Sequence, residues 1–142
     1  MKKKLIIISG DPNSINSEII YKSWKKLNPT IRKNIYLISS FNLLKKQFEK
    51  LKYKIKLQKV KNINEFKHSS DLKVIDIHLK FKNPFNVARK NASRFVLRSL
   101  DLGHKLSLDT KNVLGLINCS IDKDLLKERF IGVTEYLAHK CK

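Results

Sequence analysis

The sequence has little with which to build bridges, tight turns or membrane spans: two cysteines, four glycines and three prolines in 142 residues. Cys119 and Cys141 lie too far apart for a Cys-x-x-Cys pair and offer no disulfide framework. Free thiols of this kind fit a reducing compartment. The longest apolar run, residues 5–8, is far short of the ~20 residues a bilayer-spanning helix needs, so no span is expected. Lys2, Lys3 and Lys4 precede that run as the basic start of a signal peptide would. The run is nevertheless shorter than the required ~7–15 residues, and Gly10, Asp11 and Pro12 follow it instead of a small-residue cleavage site. A cytoplasmic protein is the expectation. There is no Gly/Ser-rich or Pro-rich linker and no internal repeat, and the 42% of hydrophobic residues are spread along the whole chain. Residues 1–142 are therefore expected to form a single domain, burying roughly 68–70% of the surface of the unfolded chain.

Acidic residues are also scarce. Twelve Asp and Glu against 31 Lys and Arg give a formal charge of +19, a balance that attracts nucleic acid or an anionic membrane surface. The type of base argues otherwise. Only five of the 31 are Arg, whose planar fork is what direct base reading uses. The lysines accompany twelve Asn and sixteen Ile, as in a sequence whose composition has drifted throughout. They read as a solvated surface, and a nucleic-acid partner is not expected. A phosphorylated small substrate is compatible with that surface.

Strand and helix periods alternate along the chain. Residues 5–9 read as a buried strand closed by Gly10-Asp11-Pro12. From Ser17, the residues Ile19, Ile20, Trp24 and Leu27 recur at helical spacing, with Lys22, Lys25 and Lys26 opposite and Asn28-Pro29 as the stop. A second strand over 35–38 leads to a helix capped by Ser39 or Ser40, with Leu44, Phe48 and Leu51 on one face. Residues 54–60 alternate as an edge strand with one wet face, and 72–79 read as another strand. A helix over 92–106 follows the Asn83-Pro84 turn, with Asn91 as its N-cap and Gly103 weakening its last turn. A fifth strand over 113–117 precedes helical stretches over 122–128 and 134–139. This order predicts an α/β fold, a three-layer α/β/α arrangement with a mostly parallel sheet and helices on both faces.

In such sheets ligands gather beyond the carboxyl ends of the strands, where free N–H groups and helix amino termini attract anions. Three segments are candidates: the loop from Gly10 and Asp11 to Glu18, the loop from Asn118 to Lys123, and Gly132-Val133-Thr134-Glu135. Each also has a plain structural reading. Asp11-Pro12 can be a turn with its own Asx hydrogen bond, Lys123 a surface charge, and Thr134 a helix cap with Glu135 in the first turn.

Together and in this order, the three segments resemble the 4-hydroxythreonine-4-phosphate dehydrogenase family of vitamin B6 biosynthesis. Its amino-terminal strand, Gly-Asp-Pro, Gly-rich turn and Pro-Glu are similar to Ile6-Ile7-Ile8-Ser9-Gly10-Asp11-Pro12 and Glu18-Ile19. Its Thr-Ala-Pro-Ile-Asn-Lys element looks like Asn118-Cys119-Ser120-Ile121-Asp122-Lys123. Its Gly-His-Thr-Glu element with the following Leu-Ala looks like Gly132-Val133-Thr134-Glu135-Tyr136-Leu137-Ala138. The resemblance implies an isocitrate/isopropylmalate dehydrogenase-like fold, of which this chain is the amino-terminal part, working as a homodimer with the substrate in an interdomain cleft.

The implied activity is oxidation and decarboxylation of 4-phosphooxy-L-threonine with NAD or NADP. A divalent metal (Zn, Mg or Co) holds the substrate's oxygens as Lewis acid. Asp11, Lys123 and Thr134 inherit substrate-binding roles, and a related four-carbon phosphorylated hydroxy acid is an alternative substrate. At Val133 an isopropyl group replaces an imidazole that donates hydrogen bonds and carries protons. Asn13, Ser14 and Asn16 stand where the family has glycines. The family's metal-binding histidines, its phosphate-binding Lys, Asn and Arg and most of its nicotinamide site lie beyond position 142. His68, His78, His104 and His139 match none of them. The chain alone is accordingly expected to hold no metal and to be inactive, either as part of a longer enzyme or as a non-catalytic relative whose basic surface meets an acidic partner.

Overall fold

A computed structural model describes residues 3–65, 71–126 and 130–142. Five strands form one parallel sheet: β1 (Lys4–Ile8), β2 (Ile35–Ser39), β3 (Leu57–Val60), β4 (Leu72–Asp76) and β5 (Val113–Asn118). Their order is β3-β4-β2-β1-β5, so the expected edge position of β3 is borne out and β5 forms the other edge. The helices are α1 (Asn16–Lys26), α2 (Pro29–Arg32), α3 (Phe41–Lys50), α4 (Arg89–Ser107) and α5 (Val133–Lys140).

The centre of the sheet is apolar on both sides because both sides are covered. All five residues of β2 are buried. Ile35 and Leu37 pack with Leu72 and Val74 under Ile20 and Trp24 of α1 and Leu44 and Phe48 of α3. Ile6, Ile8, Tyr36 and Ile38 face Phe95, Val96 and Leu100 of α4 on the other side. Gly103 lets α4 lie close: a Cβ there would meet Ile8 Cδ1 at 2.7 Å and Leu116 Cδ1 at 3.0 Å. The glycine that weakens the last turn by propensity is thus required for packing, and the helix runs on to Ser107.

Several boundaries differ from the sequence reading. The stop at Asn28-Pro29 is also a start, because the Asn28 side chain accepts from Ile31 N at 2.9 Å and begins the single turn of α2. Of the two candidate serines, Ser40 caps α3, accepting from Leu43 N at 3.3 Å. Helix α4 starts at Arg89 with Ala88 in the cap position, since the Asn91 side chain is taken up by the Lys80 carbonyl at 3.0 Å. The helical stretch expected over 122–128 is a 3₁₀ turn at Lys123–Leu125, and residues 127 and 128 lie outside the described residues. Ile19 is exposed; Ser17, Ile20 and Trp24 form the buried stripe of α1.

One core position breaks the apolar pattern. Lys73 in β4 is 1% exposed, donates to the Arg32 carbonyl at 3.1 Å and lies 5.0 Å from the centroid of the Tyr36 ring. Burial, with a smaller push from the Lys4 charge, lowers its pKa to about 8, against a weaker upward pull from Asp71. The unfolded chain keeps that proton up to the ordinary 10.5, so between pH 8 and 10.5 it binds more protons than the folded one. This group therefore makes stability rise with pH in that window. Above about pH 10 the buried Tyr36 and Tyr136 phenols, held protonated past their ordinary 10.0, act in the opposite sense. Lys73→Met should abolish the rise above pH 8 and stabilise the protein at neutral pH by on the order of 1–3 kcal/mol. Urea unfolding across this range checks it, and a flat wild-type profile between pH 8 and 10 would contradict it.

Candidate functional site

Because the sheet is parallel, the loops after β1, β2, β4 and β5 emerge on one rim. Side-chain amides join them. Asn13 after β1 forms a two-way pair with Val87 after β4, donating to its carbonyl at 2.9 Å and accepting from its N–H at 2.7 Å. Gln47 of α3, 3% exposed, donates to the carbonyls of Pro12 at 3.0 Å and Pro84 at 2.8 Å. Asn16 donates to the Ser120 carbonyl at 2.7 Å, and Asp11 N–H donates to the same oxygen at 3.0 Å. Gly10 makes the turn into this rim at φ +77°, where a Cβ would run into the Ser120 carbonyl and the Asn16 amide. Lys52 is the sole non-glycine with positive φ among the described residues. Asn13, Ser14 and Asn16 therefore hold the loop without left-handed angles.

The predicted site residues take up distinct places on this rim. Asp11 accepts from Asn13 N–H at 2.9 Å, the Asx turn its sequence context allowed. It lines a nearly filled recess with Ser9, Ser39, Asn16 and Gln47, in which Asn16 Oδ1 is buried without a hydrogen-bond partner among the described residues. Lys123 is exposed and lines a separate, open basin of about 610 Å³ with Arg89, Asp124, Phe130 and Ile131. Thr134 is exposed in the first turn of α5; the cap position belongs to Gly132, not to Thr134. That turn begins just after Ile131, a wall of the basin. Val133 is half-buried and packs against the α4-side core.

The basin is positive on balance. Lys123 stands beside the amino terminus of α4, where no side chain among the described residues caps the helix. Arg89 opens that helix and is 3.6 Å from the Asp124 carboxylate; both groups are exposed, so the pair contributes little. Cys119 opens the loop after β5, its N–H donating to the Ile8 carbonyl at 2.9 Å, and burial pushes its thiol pKa up.

No three His, Cys, Asp or Glu residues among the described ones are grouped to hold a metal ion. His78 and His139 are exposed, and His104 Nε2 lies 3.4 Å from Cys141 Sγ at the far end of α4. His68 lies outside the described residues.

Sequence reasoning missed Asn13, Asn16, Gln47 and Arg89. Gln47 did leave a signal, being a polar residue at the position i+4 from Leu43 in the buried stripe of α3. Asn13 and Val87 are 74 positions apart, and nothing local links them.

No protein-family model and no curated protein matches this sequence. Solved structures do match. A Salmonella typhimurium protein assigned as a 4-hydroxythreonine-4-phosphate dehydrogenase superposes with a TM-score of 0.78 at 22% identity over 98% of this chain. The 4-hydroxythreonine-4-phosphate dehydrogenases of Burkholderia phymatum and Klebsiella pneumoniae superpose with TM-scores of 0.83 at 18% identity and 0.78 at 20%, over 98% and 97% of this chain. The chain spans 44% of the length of each. The resemblance read from the three sequence segments is borne out by these neighbours, and what they share with this chain at such identity is the α/β fold.

The amide stitching has a measurable weight. Gln47→Met leaves two buried carbonyls without their donor and should cost roughly 2–4 kcal/mol, whereas Gly10→Ala should cost more than ~1 kcal/mol through backbone strain. Both can be read from denaturant midpoints, and an unchanged midpoint in Gln47→Met would show that the loops stand without it.

Proposed function

We propose that this chain supplies one wall of the substrate cleft of a 4-hydroxythreonine-4-phosphate dehydrogenase-type enzyme and binds the phosphate-ester end of a phosphorylated hydroxy acid. The reading is carried by one observation: Lys123 and Arg89, the first residue of α4, line one open basin at the carboxyl rim, whose wall at Ile131 immediately precedes the cap of α5. A phosphate dianion suits such a place, because free backbone N–H groups and a lysine act on it together without needing a deep pocket. In this reading Lys123 is the cation, Thr134 a hydroxyl donor at the α5 end, and Asp11 a scaffold residue whose turn fixes the rim.

The redox chemistry belongs to the same proposal but to other residues. Bound NAD or NADP would take a hydride from the substrate carbinol, and a divalent metal would polarise the resulting ketone. The described residues do not fit that metal, lacking any grouped set of three ligands, so the role proposed for this chain is confined to holding and orienting the ester. Val133 bears on specificity. Its isopropyl group gives the substrate no hydrogen bond where the family has an imidazole, which favours a related four-carbon phosphorylated acid as readily as 4-phosphooxy-L-threonine. A homodimer, as the family resemblance implies, belongs to the same proposal.

Calorimetric titration with 4-phosphooxy-L-threonine tests the binding role. Lys123→Ala should weaken binding roughly 10-fold, and Thr134→Ala less. Added salt should weaken binding to the wild type. No NADH should form with this chain alone in the presence of Mg²⁺ or Zn²⁺. Wild-type affinity unchanged in Lys123→Ala would move the phosphate elsewhere, and turnover by the isolated chain would overturn the division of labour.

A further inference from the structure

On the α1 side of the sheet the helical cover stops short of β5. Ile20 and Trp24 of α1, with Leu44 and Phe48 of α3, pack over β2 and β4, while Ile117 of β5 stays 50% exposed. Gly115, two positions earlier on the same face of β5, adds no side chain, and a Cβ there would meet nothing within 4 Å. Between α1 and this strand lies a groove of about 200 Å³, walled by Ile7, Ile20, Trp24, Leu37, Ile117 and Cys119. None of its lining residues is charged, although charged residues make up 30% of the chain. The Trp24 wall is braced by Arg32, whose guanidinium lies 5.3 Å from the ring centroid and donates to the Trp24 carbonyl at 2.8 Å. An apolar hollow with fixed walls holds water poorly and takes an apolar ligand instead.

We infer that this groove binds a short anionic amphiphile, a carboxylate whose apolar tail has roughly six to eight carbons. Volume sets the tail. A dry cavity of ~150 Å³ accommodates a benzene ring, and this groove holds little more. Charge sets the head. The mouth opens at Ile19 and Ser23, both exposed, and Lys26 stands on the same outer face of α1, one helical turn beyond Ser23. Its neighbour Lys22 is engaged by Glu18, whereas Lys26 is in no ion pair among the described residues. A carboxylate leaving the groove past Ser23 meets that ammonium, and a cationic head is repelled by it. The groove lies against α1 and the Lys123 basin at the start of α4, so the inference goes beyond the phosphate-ester reading and does not depend on it.

Trp24 is the sole tryptophan of the chain and a wall of the groove, so its fluorescence reports occupancy. Titration with butanoate, hexanoate, octanoate and decanoate, each below its aggregation concentration, tests the inference. Affinity should rise about three- to four-fold per added carbon as far as octanoate and then level off, because further carbons stay in water. Octanol should bind at least ~3-fold more weakly than octanoate, octyltrimethylammonium more weakly still, and K26E should remove that preference. Ser23→Phe, at an exposed helix position, should fill the mouth and abolish binding while the circular dichroism spectrum and unfolding midpoint stay unchanged. Affinity that climbs without a break through decanoate would mark adsorption to the surface, and equal binding of all three heads would take the selecting role from Lys26; either overturns the inference. Retained binding in Ser23→Phe does so too, as does the absence of saturable binding, expected where further polypeptide covers the groove. Each of these results leaves the Lys123 titration untouched.

Discussion

Everything at the carboxyl rim depends on satisfying backbone carbonyls that the parallel sheet brings together. When strands run the same way, their following loops converge, and the loop peptide groups shield one another from water. A buried carbonyl without a donor costs about 1–3 kcal/mol, so several such groups would be enough to unfold a domain of marginal stability. This chain meets the constraint with carboxamides. Asn13 and Asn16 of the first loop and Gln47 of α3 reach the carbonyls of Val87, Ser120, Pro12 and Pro84. Amides suit the task because one group both donates and accepts, as Asn13 does toward Val87. Glycine could bring the loops equally close but would not tie them.

The abundant positive charge plays a smaller part in the fold. Several lysines find carboxylates, as Lys22 does Glu18 at 2.5 Å, but such pairs lie in water and contribute little. Charge matters where burial concentrates it. Lys73 is carried by a single carbonyl and an aromatic face, and it opposes folding in its charged form.

The layers of the fold were legible in the sequence; the joints between them were less so. The apolar run before Gly10 and the helical spacing of Ile20 and Trp24 reflect burial, which local pattern reports faithfully. Element ends were harder to read. Asn91 looks like a cap and Asn28 like a stop, yet the Asn91 amide is drawn to the Lys80 carbonyl by tertiary structure, while Asn28 caps the next turn through Ile31 N–H three residues on. The candidate site was legible as three segments but not as a surface. Lys123 and the α5 start could be named from motif, whereas the part of Arg89 in the same basin depends on how α4 is docked, which Gly103 controls from its other end.

Val133 and Gln47 show two ways in which polarity moves between site and core. At Val133 the side chain faces the packed layer beneath α4, where an imidazole would have to be desolvated. At Gln47 a polar group has entered an apolar helix stripe, and it is tolerated because both amide hydrogens are used. In the proposed site a position given over to packing orients no ligand, and the donors at this rim are Lys123, Thr134 and the backbone N–H groups at helix starts. Those groups are fixed by the fold itself, so the loop ties that hold the rim in shape also determine what binding capacity it retains.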